Sequence, residues 1–133
     1  MIGRFPIYPS LPAADIERAR TWYADKLGLA PVSDNGSGIL GYVSGGVSFI
    51  LYRTGAAGSA RNTAAGWLVD DLESAMAELR ARGVAFEDYA MGRTGPTTVN
   101  GVATDRAGVR SAWFRDSEGN ILTIVQLPPG MRG

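Results

Sequence analysis

Apolar residues recur at helical spacing in two segments of the chain. In the later segment they stand at positions i, i+3, i+4 and i+7, namely Leu72, Ala75, Met76 and Leu79. In the earlier segment the same stripe consists of Ile16, Ala19, Tyr23 and Leu27. A single apolar stripe flanked by polar residues is typical of a helix that packs on a core. We therefore predict two amphipathic helices.

Both predicted helices carry the same residues at their ends. The sequence Asp-Ile-Glu-Arg-Ala at 15–19 recurs as Asp-Leu-Glu-Ser-Ala at 71–75, and each copy leads to a glycine, Gly28 or Gly83. An aspartate before the first turn accepts hydrogen bonds from the free amides of that turn, and glycine adopts the left-handed conformation that ends a helix. The recurrence indicates an internal repeat.

Segments with the pattern of β-strands surround both helices. A short extended stretch precedes each helix, and turn-rich sequence separates the runs that follow. After the first helix these runs end at Val32 and then cover 39–43 and 47–52; after the second they cover 84–86, 111–114 and 121–125. The order strand, helix and three strands occurs twice, which predicts an α+β domain of two βαβββ modules. We place module 1 at about 5–53, a linker at 54–62, module 2 at about 63–126 and a tail at 127–133.

The composition excludes several classes of chemistry. The 133 residues include neither Cys nor His, so thiolate nucleophiles, disulfides and imidazole-based catalysis are absent. Thirteen basic and thirteen acidic residues give a formal charge of +0, which argues against a nucleic-acid partner. The start of the chain lacks the apolar run of a signal peptide, and no stretch is long and apolar enough to cross a membrane. We expect a soluble cytoplasmic protein without a membrane partner.

Three motifs carry a resemblance to a known family. They are Asp-Ile-Glu-Arg-Ala-Arg-Thr-Trp-Tyr at 15–23, Leu-Gly-Leu at 27–29 and Phe-Arg-Asp-Ser-Glu-Gly-Asn at 114–120. With the paired modules, they resemble the vicinal oxygen chelate superfamily of glyoxalase I, bleomycin and fosfomycin resistance proteins and extradiol dioxygenases. The resemblance covers residues 5–126 and implies that each module curls its mixed sheet into a half-barrel. It also implies a homodimer, with the half-barrels closing within one chain or across two.

The resemblance further implies where metal ligands would stand. In metal-dependent members, His, Glu or Gln side chains project from the first and last strands of each module. The matching positions here are Tyr8, Ile50, Ala64 and Thr123. Two of these side chains have no donor atom and the other two offer one oxygen each, whereas a hard cation takes about six oxygens. We therefore expect neither a metal nor another cofactor.

Strand alternation then predicts what lines the vacated site. The side chains expected to face the half-barrel interior are Tyr8, Ser10, Ile50, Tyr52, Leu68, Trp113, Thr123 and Val125. Trp67 and Phe114 are expected on the helix side instead. An apolar and aromatic wall with a few hydroxyls suits a planar or hydrophobic small molecule.

The long glycine-rich segment 88–110 predicts a lid or recognition loop. It contains Asp105, which reads either as an acid-base group or as part of a turn between two strands. An oxygen-only cation site around Glu87, Asp88 and Asp105 stays open. The acidic stretch 116–120 resembles a calcium loop only superficially, and we interpret it as a hairpin turn.

Three functions remain open at this point. The leading hypothesis is a metal-independent protein that binds, and sequesters, a hydrophobic or aromatic metabolite or antibiotic. The alternative is a glyoxalase-like lyase, isomerase or oxygenase with Tyr8, Tyr52 or Asp105 as acid-base groups. The third is a scaffold whose half-barrels are filled. The sequence does not decide whether the protein is an enzyme.

Overall fold

Each half of the described part of the chain contains one α-helix and four strands. The structure, a computed structural model, describes residues 1–131. The first set is β1 (Ser10–Ala13), α1 (Ile16–Leu27), β2 (Ser33–Asp34), β3 (Ile39–Ser44) and β4 (Val47–Arg53). The second set is β5 (Thr63–Leu68), α2 (Leu72–Ala81), β6 (Ala103–Thr104), β7 (Arg110–Arg115) and β8 (Ile121–Gln126). The predicted βαβββ repeat is confirmed; residues 132 and 133 of the predicted tail lie outside the described residues.

The chain divides into two compact units, each with its own sheet. The first unit comprises Met1–Ala60 and Ser117–Asn120, and the second comprises Arg61–Asp116 and the chain from Ile121 onward. The strand orders are β1-β4-β3-β2 and β5-β8-β7-β6. In each sheet the first strand of the module pairs parallel with the last, and the other pairings are antiparallel. Both sheets are mixed, which confirms the predicted α+β class.

The aspartates cap the helices as the sequence predicted. The side chain of Asp15 accepts a hydrogen bond from the amide of Arg18 at 3.0 Å. Asp71 does the same for the amide of Ser74, also at 3.0 Å. Gly28 then ends α1 with a φ of 67°, a backbone conformation that glycine adopts without a steric penalty. The two helices therefore begin where their side chains satisfy the free amides of the first turn.

In the first unit, one face of the sheet packs under α1 around three aromatic rings. Tyr42 stacks on Phe49 with centroids 5.1 Å apart, and Tyr23 of α1 contacts both rings. Leu11, Leu40 and Leu51 complete this buried face. The hydroxyl of Tyr42 is buried and finds no hydrogen-bond partner among the described residues. Burial raises the pKa of Tyr42, so this hydroxyl keeps its proton.

Replacing Tyr42 with phenylalanine is therefore expected to leave the protein as stable or to stabilise it by up to about 1 kcal/mol, because the variant removes a buried polar atom without a partner. Urea unfolding monitored by circular dichroism measures this change. Tyr42→Leu is the matched control; it also removes the ring stacked on Phe49 and should be destabilising. A loss of stability in Tyr42→Phe comparable to that in Tyr42→Leu would show that the hydroxyl has a partner.

In the second unit, α2 covers the face of the sheet that carries Phe114. Phe114 is fully buried, and Trp67 stacks near it with centroids 6.5 Å apart. Leu122 and Ile124 of β8 lie buried on the same face. Arg110 of β7 forms an ion pair with Glu73 of α2, which marks this face as the helix side. The predicted helix-side positions of Trp67 and Phe114 are confirmed.

Two expectations for the second sheet need correction. The segment 84–86 is not a strand, because only Phe86 makes a single bridge, to Phe114, before the chain turns away. The short strand β6 takes the place beside β7 instead. Strict alternation along β5 is the second expectation, but the register shifts between Thr63 and Ala65. This irregularity leaves Thr63 paired with Ile121.

Glu118 is buried although it lies in the turn before β8. Its side chain is fully enclosed, and its carboxylate accepts hydrogen bonds from the Asp15 amide and from Nε of Arg18, both at 2.8 Å. Another nitrogen of the Arg18 guanidinium and the Ser117 hydroxyl also donate to it. Burial by itself would raise the pKa of Glu118, but these donors and the Arg18 charge lower it to about 2. An ionised, satisfied carboxylate therefore holds the 117–120 segment at the start of α1.

Within residues 1–131, no helix has the length and apolar character needed to span a membrane.

Candidate functional site

The second sheet has an open face, opposite the one that packs on α2. Alternation along β7 and β8 places Trp113, Thr123 and Val125 on it, since their neighbours Phe114, Leu122 and Ile124 are buried under the helix. Trp113 pairs with Thr123, and Val125 pairs with Leu68 of β5. Four of the predicted site residues, Leu68, Trp113, Thr123 and Val125, are thus neighbours on one surface.

The indole of Trp113 is held across this open face. Its Nε1–H donates a hydrogen bond to the hydroxyl of Thr63 at 3.1 Å. Thr63 belongs to β5 and Trp113 to β7, and β8 runs between these strands. The indole must therefore span β8, beside the Thr123 with which it is paired. Because the indole is attached to β7 at one end and hydrogen-bonded to Thr63 at the other, it forms a rigid platform. This platform is only half-buried.

The segment expected as a lid begins as an ordered hairpin. The amide of Thr98 donates to the carbonyl of Tyr89 at 2.8 Å, and the Thr98 hydroxyl donates to Asp88 at 2.7 Å. These bonds close residues 88–98, which we call the hairpin arm. The hydrogen bond from the Thr98 hydroxyl lowers the pKa of Asp88, and the hydrogen bond from the Gly101 amide adds to this effect. The arm therefore has an internally hydrogen-bonded base rather than an open loop.

Tyr89, at the base of the hairpin arm, stands nearly perpendicular to Trp113. The two ring centroids are 5.6 Å apart and the interplanar angle is 83°, an edge-to-face contact. Burial raises the pKa of Tyr89, and the negative charge of the nearby Glu87 carboxylate adds to that effect. The phenol therefore stays neutral. Together the two rings form an aromatic corner, with Trp113 and Tyr89 as its two sides.

An ion pair lies beside this aromatic corner. Glu87 accepts a hydrogen bond from Nε of Arg115 at 2.6 Å, and both side chains are partly exposed. The amide of Glu87 donates to the carbonyl of Trp113 at 2.8 Å, which fixes Glu87 next to the platform. Arg115 follows Trp113 by two residues on β7 and so shares its face. The polar edge of the corner consequently carries one negative and one positive charge.

The first sheet has the same strand pairing as the second, but its open face carries different side chains. Ser10 pairs with Ile50, and Tyr52 lies two residues further along β4. Ile50 also pairs with Gly41 of β3, as Thr123 pairs with Trp113 in the second sheet. The position equivalent to Trp113 is therefore a glycine. A Cβ at Gly41 would lie 2.2 Å from the Ser33 hydroxyl, so a side chain at this position would first have to displace that hydroxyl.

The remaining predicted residues are not part of the aromatic corner. Tyr8 precedes β1 and is 59 % exposed. Asp105 lies in the turn between β6 and β7. Its carboxylate accepts hydrogen bonds from the amides of Ala107 and Val109, at 2.9 and 3.0 Å. Asp105 therefore has the role of a turn residue. Tyr8, Ser10, Ile50 and Tyr52 belong to the first unit and stay predictions as ligand contacts.

A family model agrees with this architecture. The model described as Glyoxalase/Bleomycin resistance protein/Dioxygenase superfamily matches residues 7–122. The chain belongs to this superfamily. The predicted resemblance to the vicinal oxygen chelate superfamily is thereby confirmed. No curated protein matches the sequence significantly.

Several solved structures share the fold along nearly the whole chain. A protein from the mobile metagenome of V. pseudocholerae is 26 % identical, with 93 % of this chain and 95 % of that chain covered and a TM-score of 0.65. An antibiotic-binding protein from Streptomyces sp. CB03234 is 24 % identical, with 93 % and 98 % covered and a TM-score of 0.65. A lactoylglutathione lyase from Agrobacterium tumefaciens is 16 % identical, with 92 % of each chain covered and a TM-score of 0.68.

The superfamily implies a divalent metal, which the residues present here do not fit. The side chains of Ile50 and Ala64 have no ligand atom, and Thr123, whose hydroxyl donates to the carbonyl of Ala112 at 2.8 Å, offers a single neutral oxygen. Tyr8 lies outside the strand that would have to aim it. Across residues 1–131, no three His, Cys, Asp or Glu side chains gather into a potential metal site. The oxygen-only site considered around Glu87, Asp88 and Asp105 therefore has no geometric basis.

Reasoning from the sequence did not place three residues at this site: Thr63, Tyr89 and Glu87, of which Glu87 was expected only as a cation ligand. Thr63 reaches the open face because of the register shift, which strict alternation cannot anticipate. Tyr89 and Glu87 arrive from the segment after α2, where the pattern predicted a short strand and then a loop. The usable signal was the single aromatic residue near the start of a polar, glycine-rich segment.

Proposed function

We propose that this superfamily member is a metal-independent small-molecule binding protein that sequesters a planar aromatic metabolite or antibiotic. The observation that carries the proposal is the Trp113 indole, fixed across the open face of the second sheet by Thr63 and met edge-on by Tyr89. Leu68 and Val125 supply apolar surface on the same sheet. An antibiotic-binding protein of the same fold is consistent with this proposal.

Stacking is the recognition that the aromatic corner supports best. An aromatic pair contributes about 0.5 to 1.5 kcal/mol beyond the burial of its area. The indole is already fixed by a hydrogen bond, so little side-chain entropy is lost when a ring stacks on it. The metal-independent part of the proposal rests on the donor set, because the four inherited positions together offer two neutral oxygens and no carboxylate, imidazole or thiolate.

Titration with 2-naphthol tests the proposal, with decahydro-2-naphthol as a saturated control of the same skeleton. The ¹⁵N-labelled indole N–H signal of Trp113 should shift with 2-naphthol and stay in place with the control. Trp113→Ala should weaken 2-naphthol binding at least about tenfold, because the stacking surface is lost. Trp22→Phe, on α1 of the first unit, is the matched control and should bind normally.

Equal affinity of Trp113→Ala and the wild type, with both proteins folded by circular dichroism, would contradict the proposal. So would equal binding of the aromatic and the saturated probe. The absence of any binding would favour the scaffold hypothesis instead. The homodimer and the cytoplasmic location stay predictions, and light scattering after gel filtration measures the first of them.

A further inference from the structure

We infer that the site selects neutral aromatic molecules with a hydrogen-bonding substituent, and that Glu87 is the residue that sets this charge preference. The inference rests on the proposed function, since it concerns the same aromatic corner. It follows from the position of the Glu87–Arg115 pair beside Trp113 and Tyr89.

The position of Glu87 is fixed by backbone as well as by side chain. Its amide donates to the carbonyl of Trp113, so its Cα cannot move away from the platform without breaking a 2.8 Å hydrogen bond. Its carboxylate accepts a hydrogen bond from Nε of Arg115. The polar edge of the corner is therefore an ordered ion pair held next to Trp113.

The charges at this edge cancel. Arg115 alone would attract an aromatic anion that stacks on Trp113, and Glu87 alone would attract an aromatic cation. Paired at 2.6 Å, they present no net charge while still offering hydrogen-bonding atoms. A charged ring would lose hydration on stacking without gaining an unpaired countercharge, whereas a neutral ring with a hydroxyl loses much less. The favoured ligand is consequently a neutral aromatic alcohol, amide or ketone.

Glu87→Gln tests the inference because it removes the negative charge and keeps the shape. We would measure the affinities of 2-naphthol, 2-naphthoate and 2-naphthylmethylammonium by calorimetry at neutral pH. The wild type should bind 2-naphthol about threefold or more tightly than either ion. In Glu87→Gln the ratio of 2-naphthoate to 2-naphthol affinity should rise about fivefold, and high salt should reduce this gain. Arg115→Gln should shift the preference toward the cation.

Glu73→Gln is the matched control. Glu73 pairs with Arg110, which lies on the same strand as Arg115 but faces the helix. This variant also removes a carboxylate from an ion pair on β7, yet it should leave the charge preference unchanged. Comparison of the two variants therefore separates an effect at the aromatic corner from a general change in net charge.

The outcomes for this inference and for the proposed function are distinguishable. If 2-naphthol binds through Trp113 but Glu87→Gln and Glu73→Gln show the same charge preference as the wild type, the inference is overturned and the proposed function stands. If 2-naphthol does not bind to the wild type, the proposed function fails first. A fivefold change confined to Glu87→Gln would support both.

Discussion

Replacing Glu118 with alanine is expected to lower the free energy of unfolding by about 3 kcal/mol. The carboxylate is fully enclosed and accepts a hydrogen bond from the amide of Asp15. In a capping box this amide is satisfied by the third residue of the helix. Here that residue is Arg18, whose guanidinium binds Glu118 instead. Since Arg18 is half-exposed, it can be rehydrated in the variant, which keeps the loss near the lower end for a buried ion pair.

The same carboxylate makes stability depend on acid. The pKa of Glu118 falls from an ordinary value of 4.5 to about 2 on folding. A depressed carboxyl pKa contributes stability above the unfolded-state value and loses it as the pH falls through the folded-state value. About 3 kcal/mol should therefore disappear between roughly pH 5 and pH 2. The wild type and Glu118→Ala should differ most at neutral pH and converge in acid.

Urea unfolding at several pH values measures both effects. Glu78→Gln is a suitable control, because Glu78 forms an exposed pair with Arg82 at 3.7 Å and should contribute less than about 0.5 kcal/mol. A Glu118→Ala protein as stable as Glu78→Gln at neutral pH would contradict the role assigned to Glu118. So would a stability difference that stays constant down to pH 2.

Gly58→Ala is expected to cost about 2 to 3 kcal/mol, for two independent reasons. Gly58 has a φ of +82°, which an alanine adopts only with strain. A Cβ at this position would also lie 2.9 Å from the carbonyl oxygen of Glu118. That oxygen belongs to the backbone of the 117–120 segment, so it cannot turn aside as a side chain would. Thermal and urea unfolding both report the loss.

Gly55→Ala in the same loop provides the control. Gly55 has no positive φ, and no atom lies within 4 Å of a Cβ placed there. This substitution should be neutral or stabilise the protein by about 0.5 kcal/mol, because it restricts the unfolded chain. Equal stability of Gly58→Ala and Gly55→Ala would mean that the 117–120 segment can move away from the loop without loss.

The repeated module was predictable because local chemistry determines its parts. Asp15 and Asp71 satisfy amides only a few residues away, so the helix starts follow from the sequence alone. Alternation along β7 and β8 likewise fixed which side chains face the helix, as Phe114 shows. The family resemblance followed from these regular elements, and it required no knowledge of the site.

The site was less predictable because it depends on irregular and long-range features. The shift between Thr63 and Ala65 reverses the face expected for Thr63. Tyr89 reaches Trp113 only because the hairpin arm leaves the sheet edge directly after Glu87. Glu118 in turn lies 103 residues along the chain from Asp15. No periodicity in a single sequence reports contacts of these kinds.

The contrast between Gly41 and Trp113 has a consequence for stoichiometry. A duplicated module would ordinarily offer two equivalent binding sites, and a titration would then saturate at two ligand molecules per polypeptide. Here the first module has Gly41 where the second has the indole of Trp113. Under the proposed function, each polypeptide therefore binds a single stacked ligand. Because the first module does not stack a ligand on an indole, the residues on its open sheet face can change in sequence without affecting that binding.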